Sequence, residues 1–104
     1  RPLMVFNNER LENFPDVPTA TEAGIEAPLN ELYLWGGLFA PAGLEPEVTA
    51  TLEAACETAV ASDGFQEFAA NSGTVINYRG AEEFDAFYRA QYESNAALIE
   101  AAGL

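Results

Sequence analysis

Leu32-Tyr33-Leu34-Trp35-Gly36-Gly37-Leu38-Phe39-Ala40 is the most apolar run of the chain. Its length and aromatic content predict a central strand. The glycine pair inside it weakens a strand by removing side-chain packing. Such a pair marks a bulge or a close approach of backbone to another group. Pro41-Ala42-Gly43-Leu44 then ends the run as a turn.

Upstream of that run, Leu3-Met4-Val5-Phe6 is a short apolar segment of the buried-strand kind. Residues 7–18 are polar and broken by Pro15 and Pro18, so they predict a loop. Thr19-Ala20-Thr21-Glu22 has the form of a capping box, and Gly24 stands where a C′ glycine closes one or two helical turns. Residues 25–31 read as loop again.

Downstream, Pro46 suits the first position of a helix. Val48, Leu52, Ala55, Ala59 and Val60 recur at helical spacing, which predicts an amphipathic helix to about Ala61. Ser62 is placed to cap a short helix carrying Phe65, Phe68 and Ala69 on one face and ended by Gly73. Thr74-Val75-Ile76-Asn77-Tyr78 predicts a β-branched strand. Gly80 opens a last helix with Glu82 and Glu83 in its first turn, where the dipole favours acids. Phe84, Phe87, Tyr88, Gln91, Asn95, Leu98 and Ala102 keep its period up to Gly103. The three predicted strands are far apart, with no tight hairpin between them. They either lie parallel with crossovers or pair with strands from elsewhere.

Composition removes most chemistries. The chain has 104 residues, no histidine, no lysine and one cysteine. Without histidine or lysine, Ser–His, Cys–His and Walker-type sites cannot be built, and the usual proton-transfer group near neutral pH is missing. A two-carboxylate hydrolase is formally open, but among 17 acids a pair of carboxylates carries no information. The reading is therefore non-catalytic. A net charge of −13 and only four arginines exclude a nucleic-acid or anionic-membrane surface. Most of the acids fall at helical positions and read as solvated faces. Cys56, in an Ala-rich helical stretch, reads as a small buried thiol rather than a nucleophile. No run is long enough to cross a bilayer. Arg1 to Phe6 lacks the pattern of a signal peptide and reads as a cut end.

Pro15-Asp16-Val17-Pro18-Thr19, then Glu22-Ala23-Gly24, then Trp35 to Gly43 resemble, in order and spacing, the C-terminal part of the tripartite tricarboxylate transporter receptors, the Bug family of extracytoplasmic solute-binding proteins. The helix led by Pro46, the short helix ended by Gly73, the strand at Thr74–Tyr78 and the Glu82-Glu83-Phe84 opening continue the likeness. It extends over nearly the whole chain.

The resemblance implies an α/β fold: the C-terminal portion of a type II periplasmic-binding-protein-like fold, helix-rich, with about three short strands. Residues 1–31 would end the second lobe and its hinge loop. Residues 32–104 would hold a hinge-crossing strand and the C-terminal part of the first lobe. The implied function is extracytoplasmic (periplasmic) capture of a small organic carboxylate, of the tricarboxylate or dicarboxylate type, for membrane permease subunits. No cofactor and no metal are implied, and a secretion signal is expected upstream of Arg1.

Within these residues the ligand-binding candidates are Tyr33, Trp35, Gly36 and Gly37. A glycine pair lets a ligand reach backbone N–H groups that no Cβ shields, and an anion can be held by such groups with water. Trp35 reads either as a cleft wall or as a packing residue at the hinge, and strict alternation puts Tyr33 on its side. Tyr88 and Tyr92 read as core or rim of the last helix. The alternative is a free-standing small helical module for protein interaction, anchored by Trp35. As an isolated piece, the chain is expected to self-associate through uncovered strand edges and apolar surface.

Overall fold

The computed structural model describes all 104 residues. In chain order they form a 3-10 turn at Leu29–Glu31 and three helices: α1 (Pro46–Ala61), α2 (Asp63–Ser72) and α3 (Ala81–Ala101). All three helices fall where sequence periodicity places them. Pro46 occupies the first turn of α1, where its missing N–H costs nothing. Ser62 caps α2 by accepting from the Phe65 N–H at 3.3 Å.

Three helical segments end in the same way. Gly24, Gly73 and Gly103 all have positive φ. The next residue's N–H returns to a carbonyl five residues back in each case: Ile25 to Ala20, Thr74 to Ala69 and Leu104 to Ile99. This is the Schellman closure, and it requires the left-handed backbone that glycine adopts without a Cβ penalty.

The predicted strands do not form. Leu3–Phe6, Leu32–Ala40 and Thr74–Tyr78 contain no ladder. The sole strand-type pairing is an isolated parallel bridge between Val5 and Thr19. It is made by Val5 N–H to Pro18 C=O at 2.9 Å and Ala20 N–H to Val5 C=O at 2.8 Å. A strand exists only with a neighbour to bond, and none of the three segments pairs with another. The helix-rich part of the expectation holds, and the strand part is corrected. The predicted loop at 25–31 also carries the short 3-10 turn.

The chain divides into two compact units. One comprises Arg1–Gly37 with Tyr88–Leu104, and the other Leu38–Phe87. In the first, the buried side chains are Ala20, Thr19 and Gln91; in the second, Ala69. No large side chain is fully buried in either. The apolar face expected on α1 is present but uncovered, with Val48 45% and Leu52 39% exposed. No helix is long and apolar enough to cross a membrane.

In the second unit α1 and the start of α3 are tied by side chains. Glu53 Oε1 accepts from the Ala81 N–H at 2.8 Å, and the Tyr78 O–H donates to the Glu53 carbonyl at 3.2 Å. Arg79 pairs with Glu83 at 3.2 Å and lies 4.4 Å over the Phe87 ring, a cation–π contact. Phe39 meets Phe84 with centroids 5.5 Å apart.

Candidate functional site

The four sequence candidates lie in the first unit, on the stretch that leaves the 3-10 turn. Leu32, with φ −74° and ψ 68°, sets its direction. The Tyr33 N–H returns to the Glu31 carbonyl at 2.8 Å, which makes Leu32 the centre of an inverse γ-turn. Beyond it, exposure alternates. Leu32 and Leu34 face solvent, Leu34 fully, whereas Tyr33 and Trp35 are half-buried. The predicted sharing of one side by Tyr33 and Trp35 is therefore kept, although no ladder supports it.

Trp35 meets Tyr88 of α3 edge to face, with centroids 5.9 Å apart and planes at 84°. That geometry points the positive ring edge at the negative face. The Tyr33 phenol donates to Asn8 Oδ1 at 2.8 Å. Gly36 and Gly37 are exposed. A Cβ built on Gly36 would meet nothing within 4 Å, so its glycine is not needed to avoid a clash inside the chain. No backbone carbonyl accepts from the Gly36 N–H.

The Pro15–Gly24 motif lies in the same unit. Thr19 N–H donates to Glu22 Oε2 at 2.8 Å and Glu22 N–H to Thr19 Oγ1 at 3.2 Å. The capping box is thus closed in both directions. Arg10 grips the same carboxylate through Nε and Nη2, at 3.0 and 3.1 Å, and donates from Nη1 to the Pro15 carbonyl at 3.0 Å. The Arg10 hydrogen bonds, followed by the Thr19 N–H, hold the Glu22 carboxyl down at about 2.

Sequence reading did not find Asn8 or Arg10, because a polar loop gives no periodicity to read. Tyr88 it placed only as core or rim of α3; the structure sets it against Trp35 and leaves Tyr92 largely exposed.

The stretch presents an indole, a phenol and open backbone beside two glycines. The chain belongs to the tripartite tricarboxylate transporter receptor family, whose model matches residues 1–104. It is 30% identical over 102 residues to a UPF0065 protein of Bordetella pertussis, covering 98% of this chain and 31% of that protein. It is 28% identical over 104 residues to the UPF0065 protein in the gbd 5′ region of Cupriavidus necator, covering 100% of this chain and again 31% of the relative. The chain therefore spans about a third of the length of the curated relatives it matches. No solved structure matches it significantly.

Proposed function

We propose that the chain is the C-terminal part of an extracytoplasmic receptor that captures a small organic carboxylate and hands it to membrane permease subunits without chemistry. The family match over residues 1–104 carries this reading. In the whole receptor, residues 1–31 end the second lobe and its hinge loop. The segment from Leu32 to Ala40 crosses the hinge, and the remainder completes the first lobe of a periplasmic-binding-protein-like fold.

The local geometry supports a part for this chain in the grip. The exposed Gly36–Gly37 backbone offers N–H groups to a carboxylate, with Trp35 and Tyr33 as the apolar wall beside it. A chain of net charge −13 repels an anion at long range, so short, directed backbone bonds suit the task better than net charge. Calorimetry on the full-length receptor with citrate and succinate tests the reading. Trp35→Ala should weaken binding. Unchanged affinity makes Trp35 a packing residue for Tyr88 and removes the wall.

A further inference from the structure

Tyr33 is held by a residue that is itself held. Its phenol bonds Asn8, 25 positions earlier. Asn8 lies in residues 7–18, a stretch with no helix or strand. Apart from the Pro18 carbonyl at its end, which accepts from the Val5 N–H, its backbone bonds are local, Phe14 N–H to Leu11 C=O and Val17 N–H to Phe14 C=O. Two residues past Asn8, Arg10 fastens the stretch at two places, the Glu22 carboxylate and the Pro15 carbonyl. Glu22 is fixed in turn by the Thr19 N–H. A continuous path of short bonds and chain thus runs from the Thr19–Glu22 box through Arg10 and Asn8 to Tyr33, all inside one unit.

We infer that Arg10 is a positioning residue for the solute site: by fastening its loop onto Glu22 it sets where Asn8 holds the Tyr33 phenol, and so the pose of the wall from Tyr33 to Gly37. This rests on the reading of that wall as a solute contact. A planar guanidinium bound in a fork fixes direction as well as distance. Arg10 and Glu22 are each 45% exposed, and an exposed pair adds little to stability. Its geometric effect and its stabilising effect therefore separate in experiment.

The test uses the full-length receptor, with citrate, succinate, malate and glutarate as probes in calorimetry and thermal unfolding run in parallel. Arg10→Ala should lower affinity for the tightest probe about 2- to 30-fold, the range of coupling through a contiguous network, with Tm close to wild type. Asn8→Ala should do the same. The double variant should be no worse than the weaker single, because both act along one path. Arg10→Lys keeps the charge but loses the fork, and should stay impaired.

Wild-type affinity in Arg10→Lys, additive losses in the double variant, or a fall in Tm that accounts for the lost affinity each overturns the proposal. Weaker binding in Tyr33→Phe and Trp35→Ala with none in Arg10→Ala leaves the wall standing and removes only the Arg10 link. Binding of no probe by the wild type, or wild-type affinity in Tyr33→Phe and Trp35→Ala, overturns both.

Discussion

The Glu53 carboxylate, midway along α1, accepts from the backbone N–H of Ala81, the first residue of α3, at 2.8 Å. A helix start has four N–H groups without intrahelical acceptors, and here one is satisfied from another helix. Gly80 makes room for this, since a Cβ on it would collide with the Glu53 carboxylate. Glu53→Ala should cost about 1 kcal/mol, as loss of a cap does, measured by urea unfolding. Gly80→Ala should show a comparable loss by pushing the carboxylate away. A Gly80→Ala variant as stable as wild type would show that Glu53 keeps its bond by a small side-chain shift.

Glu22 gives stability a dependence on acid. Its folded carboxyl lies at about 2 against an ordinary 4.5, so the unfolded chain takes up the proton first as pH falls. Its contribution is complete above about 4.5 and is lost as pH drops from there towards 2. Both partners are exposed, so the effect is small and screened by salt. Unfolding followed across this window should show a shallower decline for Glu22→Gln than for wild type. Parallel declines would place the acid sensitivity in other carboxylates.

Between Leu38 and Phe87 there are nine carboxylates and one arginine. Like charges so crowded repel, and the repulsion is damped as the screening length falls from about 30 Å at 0.01 M salt to about 10 Å at 0.1 M. Sodium chloride should raise Tm over this range. A flat or falling Tm would mean that ion pairs such as Arg79–Glu83 outweigh the repulsion.

Gly36→Ala separates binding from folding. Nothing in the chain lies within 4 Å of the added methyl, so stability should change by no more than about 0.5 kcal/mol, as for an ordinary surface substitution. If a carboxylate lies against this backbone, affinity in the full-length receptor should fall about tenfold or more, the equivalent of one hydrogen bond to a charged group. Equal affinity would place the solute away from Gly36.

The 104-residue chain expressed alone should not remain a monomer. Leu34 is fully exposed, Leu38 and Phe39 are mostly so, and the three apolar segments form no ladder with one another. Light scattering after size exclusion at micromolar concentration should give a mass above one chain. A clean monomer would show that these surfaces tolerate water.

Elements whose determinants are local were legible in the sequence. Pro46, Ser62, the Thr19–Glu22 box and the glycines at 24, 73 and 103 each act within five residues, and each sits where the pattern places it. The expected strands did not form, because β-branched or aromatic composition supplies a surface but no partner. For the candidate site, alternation placed Tyr33 and Trp35 on one side. Their partners Asn8 and Tyr88 lie 25 and 53 positions away, and no local pattern reports such distances.

Trp35 is the one tryptophan of the chain, and its ring stands nearly perpendicular to that of Tyr88 in a half-buried setting. Selectively excited indole emission from these residues therefore arises at a single address, next to the glycine pair. A change in its colour or quenching would record events at that address in real time, with the native side chain as the dye.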